Sequence, residues 1–411
     1  MSTFVRMESL TITTSKQKLE GSVELPLSKS ISNRGLIIAA LSKGSVKNQR
    51  LSDADDTILL KKLLTQIHKG EDKQINCGNA GTTYRFLTAL LAITSGEWLL
   101  VGDERMQQRP IGPLVNALKE LGADISYIAK DGYPPLRITG KRLSGGYAYI
   151  NSALSSQFVS ALMMIGPLMK DGVKLLVSGD TASLPYIYMT KDLMKKAGAE
   201  VDFRLPEIVI AGGGYKEAVL PYEADWSAAA FWYELMALSK GGELFLPGLK
   251  EDSIQGDSVL HRYFYMLGVE TIFEGAGARI KKNHWLAEGF NFELNDHPDL
   301  APSLVVTTAA KGFEGNFYGI NGLKIKESDR AEALATELGK NGIKCTIDHD
   351  LLSFLPQKLG VRQTIDTYND HRIAMAFAPL AILGTPVTIN NPEVVSKSYP
   401  GFWRELQKVL N

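Results

Sequence analysis

One pattern of polar and apolar positions recurs along most of the chain. A polar cluster opens an apolar helix, which ends at residues that include glycine. There follow a β-branched strand, a charged loop, an amphipathic helix and another strand. A repeat of about 70 residues is too long for a solenoid and suits a unit with two helices and several strands. The openings lie 50, 76, 70, 74 and 71 residues apart and begin at Lys29, Asn79, Ser155, Asp225, Asp299 and Asp370.

Glycines mark the predicted ends of four second helices. Gly122, Gly198, Gly268 and Gly342 each precede a strand-like stretch, where a left-handed residue commonly ends a helix. The first unit is shorter than the others by 20 or more residues, since only residues 57–75 separate its acidic loop from the next opening. It has room for a second helix but little for the strands that should follow.

The length of the chain favours more than one domain. A chain of 411 residues exceeds the size at which single cores usually stop growing. Six units in two groups of three predict two similar α/β domains, with crossovers near Pro26 and Asp225. Two N-terminal strands are expected from Glu8 to Thr14 and from Leu19 to Leu25.

Composition excludes several classes of partner. Lys and Arg together number 45, as do Asp and Glu, so no global field recruits nucleic acid or an anionic membrane. The two cysteines, Cys77 and Cys345, match no metal spacing and favour a reducing compartment. Neither a signal-peptide pattern nor an apolar run of about 18 residues is present. We therefore expect a cytoplasmic protein without membrane or nucleic-acid partners.

The helix openings carry charge of an unusual sign. Lys29 and Arg34 lie at the start of an apolar helix, where the positive end of the helix dipole disfavours cations unless an anion is bound. A solvated loop is the alternative. The second unit offers Gly81 and Arg85, and a later loop offers Arg109. Backbone N–H groups and guanidiniums at such places are typical of phosphate or carboxylate sites.

Other openings and loops add hydroxyl, carboxylate and cationic groups. Ser155, Ser156, Gln157, Ser183 and Tyr186 suit hydroxyl or phosphate contacts, although capping and packing explain them as well. Asp299 either caps a helix or acts as a general base. Further candidates are Lys326, Glu327, Arg330, His371, Arg372 and Lys397. Lys326, Glu327 and Arg330 share one face of a helix start, as a plain surface ion-pair turn would also do.

A metal site is not expected. The acidic residues Asp53, Asp55 and Asp56 precede a helix, as a capping sequence would, and no histidine accompanies them. Walker, nucleophile-elbow and zinc motifs are missing from the sequence. The candidates could hold polyanionic small molecules and leave two carboxylates, Asp299 and Glu327, for proton transfer.

These residues lie in motifs that resemble the 5-enolpyruvylshikimate-3-phosphate synthase family. The motifs follow in order over nearly the whole chain: SKSISNR, GNAGTTYR, RMQQRP, SSQF, SLPY, HPD, KESDR, NDHR and SKSYP. Each motif is weak alone, but the ordered set is specific. The resemblance implies an inside-out α/β barrel fold with three βαβαββ-type repeats in each domain. It implies a lower domain over residues 26–225, an upper domain from residues 1–25 and 226–411, and an active site in the cleft between them.

The resemblance also implies an activity and a set of site residues. The activity is transfer of an enolpyruvyl group from phosphoenolpyruvate to shikimate 3-phosphate by a monomer without metal or cofactor. Asp299 would be the base, Glu327 the acid, and Lys29 would assist. Shikimate 3-phosphate would contact Lys29, Ser30, Arg34, Ser155, Ser156, Gln157, Ser183, Tyr186, Asp299 and Lys326. Phosphoenolpyruvate would contact Lys29, Gly81, Arg109, Gln157, Arg330, Arg372 and Lys397.

The sequence departs from the family pattern in three places. The first unit is shortened, Gly322 stands where the family often has a substrate-contacting Asn, and Phe86 replaces a usual Pro, which could alter the response to glyphosate. A related family transfers the same group to UDP-N-acetylglucosamine. Its loop carries a Cys where this chain has Met106, Gln107 and Gln108. A non-catalytic anion-binding or RNA-binding protein is a further alternative, and the presence of both Asp299 and Glu327 argues against it.

Overall fold

The structure is a computed structural model that describes residues 8–70, 72–179, 182–286, 289–360 and 364–411. The chain forms two compact units. The lower unit consists of Leu27–Ser52 and Asp56–Tyr222, and the upper unit of Met1–Pro26, Asp53–Asp55 and Glu223–Asn411. Residues 1–7, the stretch on which the expectation of no signal peptide rests, lie outside the described residues.

A helix follows each predicted opening of a repeat, and the predicted second helices are also present. Within the described ranges, the α-helices are α1 (Lys29–Leu41), α2 (Asp55–Lys69), α3 (Gly81–Ala92), α4 (Glu104–Gln107), α5 (Gly112–Glu120), α6 (Ser156–Ile165), α7 (Leu184–Lys196), α8 (Trp226–Leu238), α9 (Leu260–Met266), α10 (Ala301–Ala310), α11 (Arg330–Lys340), α12 (His371–Phe377) and α13 (Phe402–Leu410). Short 3-10 helices cover Gly166–Leu168, Gly256–Val259, Ile320–Leu323, Ala378–Leu383 and Pro392–Lys397. None of these helices is long and apolar enough to cross a membrane.

The strands are short and alternate with the helices. In the described part of the chain they are β1 (Ser9–Ile12), β2 (Lys18–Leu19), β3 (Val46–Asn48), β4 (Gln74–Asn76), β5 (Gly96–Val101), β6 (Asp124–Tyr127), β7 (Leu136–Gly140), β8 (Gly146–Asn151), β9 (Val173–Ser178), β10 (Val201–Arg204), β11 (Glu207–Ile210), β12 (Ala218–Leu220), β13 (Gly241–Pro247), β14 (Val269–Glu274), β15 (Gly277–Lys282), β16 (Gly289–Glu293), β17 (Glu314–Tyr318), β18 (Thr346–Asp348), β19 (Leu351–Phe354), β20 (Thr364–Ile365) and β21 (Val387–Asn390).

The sheets repeat one topology. In the lower unit the four-stranded orders are β4-β5-β7-β6 and β8-β9-β11-β10, and in the upper unit they are β2-β13-β15-β14 and β16-β17-β19-β18. Each begins with a parallel pair and ends with an antiparallel hairpin. A three-stranded sheet, β20-β21-β1, completes the upper unit. This topology confirms the predicted βαβαββ repeat.

The first repeat is shortened, as predicted. Its sheet is the parallel pair β12-β3 alone, and the strand after α2 belongs to the next sheet. The prediction of a second N-terminal strand from Leu19 to Leu25 is wrong. Strand β2 spans only Lys18–Leu19, and an isolated bridge follows at Ser22. Gly122, Gly198, Gly268 and Gly342 all adopt positive φ directly after their helices, which confirms the predicted glycine ends.

The first helix of each repeat lies at the centre of its unit. Helices α8, α10 and α12 pack together in the upper unit, and α1, α3 and α6 do so in the lower unit. Their side chains are buried nearly all round, as expected for helices without a polar face. Strands such as β8 and β16 alternate buried and exposed residues, so their sheets present one face to solvent. The helix starts therefore hold polar side chains at the ends of a buried helical core.

Candidate active site

The start of α1 carries a partly buried ion pair in the lower unit. Ser28 caps the helix, and its Oγ accepts a hydrogen bond from the N–H of Ile31 at 3.4 Å. Lys29 Nζ lies 3.0 Å from Asp56 Oδ2, and the two side chains are 15% and 6% exposed. The stretch is therefore a helix start and not a solvated loop. Asp56, which lies on α2, supplies the negative charge that Lys29 needs at the positive end of the helix dipole.

Arg34 lies one turn further along α1 and is completely enclosed. Its Nε donates to Thr190 Oγ1 at 2.6 Å, Nη1 to the carbonyl oxygen of Ser30 at 3.1 Å, and Nη2 to Ser160 Oγ at 3.4 Å. Among the described residues, no carboxylate forms an ion pair with this guanidinium. Burial lowers the pKa of Arg34 to about 10. A substrate anion at Arg34 would supply the counter-charge that its own surroundings lack.

Gly81, the first residue of α3, lies directly against Arg109. A Cβ atom on Gly81 would lie 2.6 to 2.8 Å from Arg109 Nη1, Cζ and Nη2, which is closer than real side chains pack. Ala80 holds the N-cap position and its methyl group cannot accept the N–H groups of the first turn. The buried guanidinium of Arg109 and these backbone donors thus lie together, as in other anion sites at helix starts.

Gln157 connects the starts of α3 and α6. Its side-chain oxygen accepts from Arg85 Nη1 at 2.8 Å, and its Nε2 donates to Thr82 Oγ1 at 3.0 Å. Ser155 caps α6 by accepting from the N–H of Gln157 at 3.2 Å, and Ser156 is buried in the first turn. The uncharged side chain of Gln157 therefore lies between the two helix starts, and its hydrogen bond from Arg85 holds it in position.

Ser183 and Tyr186 lie at the start of α7, and Tyr186 lies near Arg34. Ser183 is buried in the left-handed region, with φ 58° and ψ 42°, and its side chain makes no cap hydrogen bond to α7. The Tyr186 ring lies 5.9 Å from Arg34 Cζ, and the Phe86 ring lies 5.4 Å from it. Phe86, one of the three departures from the family pattern, thus packs against a predicted substrate-binding arginine.

Arg330 is the centre of a second cluster, in the upper unit. It begins α11 and is 1% exposed. Its Nη1 donates to Asp299 Oδ1 at 2.9 Å, its Nη2 to Glu327 Oε2 at 2.9 Å, and its Nε to Asp370 Oδ2 at 2.8 Å. Burial alone would lower the pKa of Arg330, but the charges of Asp370, Glu327 and Asp299 outweigh burial and raise the pKa.

Asp299 joins this cluster to Arg372. Arg372 Nη2 donates to Asp299 Oδ2 at 2.7 Å, and Nη1 donates to the backbone oxygen of Asp299 at 3.3 Å. Leu300, not Asp299, holds the N-cap position of α10, so capping does not explain this carboxylate. The two residues predicted for proton transfer, Asp299 and Glu327, are therefore bound to the same arginine.

Asp370 is the member of the cluster that the sequence did not assign to the site. It is 0% exposed and accepts from Arg330 Nε, from Ser328 Oγ at 3.1 Å, and from the N–H of Arg372 at 2.9 Å. Its sequence signal is its position as the N-cap of α12 in the segment NDHR. That signal predicts capping, whereas the ion pair with Arg330 joins residues 40 positions apart.

The remaining predicted cations lie in the same unit. Lys397 is buried at the end of the 3-10 helix Pro392–Lys397, and Lys326 is half-buried just before α11. His371 is 1% exposed, and its Nδ1 lies 3.7 Å from Asp370 Oδ1. His371 therefore lies beside Asp370, the carboxylate that pairs with Arg330, where it can orient that carboxylate.

Possible metal ligands and the two cysteines are the remaining groups with reactive side chains. The described residues contain no group of three or more His, Cys, Asp or Glu side chains arranged for a metal ion. Both cysteines are free, and burial raises the pKa of each thiol, that of Cys345 to about 12. Such thiols are poor nucleophiles at neutral pH.

Comparison with known proteins identifies the family. The family model described as EPSP synthase (3-phosphoshikimate 1-carboxyvinyltransferase) matches residues 13–70 and 46–406. A 3-phosphoshikimate 1-carboxyvinyltransferase of Bacteroides fragilis is 45% identical over 395 residues, which cover 95% of each chain. One of Pseudoalteromonas translucida is 36% identical and covers 95% of this chain and 97% of its own.

Solved structures share the fold. An EPSP synthase of Acinetobacter baumannii superposes with a TM-score of 0.77 at 22% identity, over 98% of each chain. The enolpyruvyl transferase NikO of Streptomyces tendae superposes with a TM-score of 0.70 at 16% identity, over 98% of this chain and 97% of its own. The family match over most of the chain and the identity to curated relatives lead to one conclusion. The chain belongs to the EPSP synthase (3-phosphoshikimate 1-carboxyvinyltransferase) family.

Proposed function

We propose that this chain transfers the enolpyruvyl group of phosphoenolpyruvate to the 5-hydroxyl of shikimate 3-phosphate and releases phosphate, a step of the shikimate pathway towards the aromatic amino acids. Its family and its curated relatives support this function. The observation that carries it is the cluster in which Arg330 and Arg372 hold Asp299 and Glu327. That cluster combines groups that bind anions with groups that transfer protons.

The proposed substrate contacts follow the two clusters. Hydroxyl, carboxylate and cationic groups are proposed for shikimate 3-phosphate, and mainly cationic groups for phosphoenolpyruvate. For the first substrate we propose Lys29, Ser30, Arg34, Ser155, Ser156, Gln157, Ser183, Tyr186, Asp299 and Lys326. For the second we propose Lys29, Gly81, Arg109, Gln157, Arg330, Arg372 and Lys397. Because both substrates are polyanions, fixed cations are needed to bring them together.

A substrate anion at Arg330 would meet three carboxylates. Each nitrogen of Arg330 donates to a carboxylate oxygen, so an added anionic group would be repelled by these partners unless one of them moved away. Asp370 is fully buried, whereas Asp299 and Glu327 are 22% and 12% exposed. We therefore propose that the substrate replaces Glu327 or Asp299, and that the released carboxylate becomes available for proton transfer.

The chemistry requires proton transfers in both halves of the reaction. A proton added to C3 of phosphoenolpyruvate gives C2 cationic character, and the 5-hydroxyl oxygen forms its bond to C2 while losing its own proton to a base. In the second half a proton leaves C3, the C2–O bond to phosphate breaks, and the enol ether forms. Glu327 is the proposed acid and Asp299 the proposed base, with Lys29 assisting. The fixed cations orient both phosphates and stabilise the leaving group.

The proposed setting is the cytoplasm, with a monomer as the active form. The two free cysteines, whose thiol pKa values are raised by burial, fit a reducing compartment. Gel filtration with light scattering would test the monomer directly, and a dimer mass would contradict it.

Acceptor choice tests the proposed function. Purified protein is mixed with phosphoenolpyruvate and either shikimate 3-phosphate or UDP-N-acetylglucosamine, and phosphate release is followed. We expect phosphate release with shikimate 3-phosphate only, with the enolpyruvyl ether of this acceptor found by mass spectrometry. Release with UDP-N-acetylglucosamine alone would show that the acceptor is the sugar nucleotide and not shikimate 3-phosphate. No release with either acceptor would contradict enolpyruvyl transfer.

A further inference from the structure

The shortened first repeat leaves part of the lower unit uncovered. In the second repeat, β7 of the hairpin pairs with β5 and packs on α3, where Leu136 and Ile138 are completely buried. The first repeat has no such hairpin among the described residues: β3 pairs with β12 alone, and the chain after α2 enters the next sheet. The flanks of α1 and α2 that a hairpin would cover remain accessible.

A cavity of about 950 Å³ lies at this place and is formed by the C-terminal halves of α1 and α2 together with the end of α3. We call it the α1–α2 groove. Its floor is formed by the largely buried side chains of Leu36, Leu41, Leu90 and Trp98, and Leu64 and Ala40 are more exposed apolar residues of its lining. This volume is in the range of small-molecule sites, roughly 300 to 1,000 Å³, and the lining combines apolar and polar residues as such sites do.

The charged side chains in the lining of the groove are cationic, and Asp72 lies outside it, in a neighbouring cavity that Lys61 also lines. Lys43, Lys61, His68 and Lys73 line it, and none of its described lining residues is acidic. Within the described part of the chain, none of the three lysines forms an ion pair. Lys73 Nζ lies 4.2 Å from the centroid of the Trp98 ring, so a cation stands directly beside the apolar floor. In a chain with 45 basic and 45 acidic residues, such a cluster is a local feature.

We propose that the α1–α2 groove binds a small amphipathic anion, with an aliphatic or aromatic body against Leu64 and Ala40 and a carboxylate between Lys61 and Lys73. Charge complementarity selects the anion, because a cationic or neutral ligand of the same apolar size would leave the lysines without a partner. The groove lies on the C-terminal half of α1, whereas Lys29 begins this helix of 13 residues. At about 1.5 Å of rise per residue, Leu36 at the near end of the groove lies roughly 10 Å along α1 from Lys29.

Titration calorimetry with three ten-carbon probes tests the proposal. Decanoate, decylammonium and decyl maltoside are compared below their micelle concentrations. We expect decanoate to bind at one site, to weaken with added salt, and to bind at least about tenfold more tightly than the other two probes. Equal binding of decylammonium would overturn the proposal. Anionic lipid vesicles form another arm: co-sedimentation of the protein with vesicles, without decanoate binding, would assign the surface to a membrane and overturn the free ligand.

A matched pair of variants locates the site. Lys61→Glu should weaken decanoate binding by about tenfold or more, because attraction becomes repulsion beside the carboxylate. Lys62→Glu makes the same charge change on the next residue of α2, which does not line the groove, and should leave the affinity within about twofold. Both positions are exposed, and circular dichroism verifies folding. Equal effects of the two variants would contradict a site at the groove.

Discussion

Two buried arginines, Arg34 and Arg330, differ in the charge of their hydrogen-bond partners. Arg34 has neutral hydrogen-bond partners, and burial lowers its pKa to about 10. Arg330 has three carboxylate partners and a raised pKa. A substrate anion would meet three carboxylates at Arg330 and none at Arg34. We infer that substrate binding at Arg330 is coupled to the displacement of a carboxylate.

Gly81→Ala tests the close approach of Arg109. The new methyl group would lie within 2.8 Å of the guanidinium, so Arg109 must shift away from the start of α3. Loss of a hydrogen bond to a charged group costs roughly 1.5 to 3 kcal/mol. We therefore expect the KM for phosphoenolpyruvate to rise by about tenfold or more, with a smaller change for shikimate 3-phosphate.

Gly339→Ala provides the control. Gly339 lies on the exposed side of α11, and a Cβ there would meet nothing within 4 Å. Alanine at a helical glycine is expected to stabilise by about 0.5 to 1 kcal/mol and to leave both KM values unchanged. An unchanged KM for phosphoenolpyruvate in Gly81→Ala would show that Arg109 does not depend on this glycine.

Helix starts were the elements best predicted from the sequence. Ser155, Asp225 and Asp370 are the N-caps of α6, α8 and α12, and each accepts a backbone N–H. These signals are local, since a cap and its helix lie within four residues. The partners of the charged side chains were not predicted. Lys29 pairs with Asp56 across 27 positions, and Arg372 with Asp299 across 73. Only the tertiary fold brings such residues together.

Asp370→Asn tests whether the N-cap of α12 positions Arg330. Asparagine can still accept from the N–H of Arg372, but it removes the charge that Arg330 Nε contacts at 2.8 Å. We expect the KM for phosphoenolpyruvate to rise by about tenfold or more and that for shikimate 3-phosphate to change less. A purely structural role would lower the melting temperature without this difference between substrates.

Asp366→Asn is the matched control for Asp370→Asn. Asp366 also accepts from a cation, Lys340 Nζ at 2.7 Å, but its side chain is 53% exposed. Exposed ion pairs contribute at most about 1 kcal/mol, so turnover and both KM values should stay within about twofold. A rise in the KM for phosphoenolpyruvate equal to that of Asp370→Asn would remove the special role of Asp370.

Helix α8 contains a buried carboxyl group that the proposed mechanism does not use. Glu234 is 0% exposed, and neither carboxyl oxygen has a hydrogen-bond partner in the described part of the chain. Burial raises its pKa well above the ordinary value. The unfolded chain loses this proton near the ordinary pKa, whereas the folded chain keeps it to a higher pH. Rising pH therefore favours the unfolded chain through that interval.

Glu234→Met should stabilise the upper unit. Removal of a buried polar group without a partner is worth about 1 to 3 kcal/mol. The rise in melting temperature, measured by scanning calorimetry, should be larger at pH 8 than at pH 5. Glu270→Met, at an exposed position of β14, should show no such pH dependence. A rise that is equal at both pH values would contradict the buried acid.

At the scale of the whole molecule, the repeat was the most informative sequence signal. Its period predicted a unit of two helices and several strands and the short first unit, because four complete repeats carry the same helix ends and strand positions. Local pattern was less reliable at the N-terminus, where apolar residues such as Val23 and Leu25 are buried in the core without forming a strand. Burial there comes from tertiary packing, which period-2 alternation cannot reveal.

The central claim is that charged residues of both compact units act in one reaction. Steady-state phosphate release from phosphoenolpyruvate and shikimate 3-phosphate tests it with one variant in each unit, Lys29→Met and Glu327→Gln. Lys47→Met and Glu332→Gln, at exposed positions, are the controls. We predict that kcat falls by about a hundredfold or more in each site variant and stays within about twofold in each control. Wild-type turnover in either site variant would contradict the account.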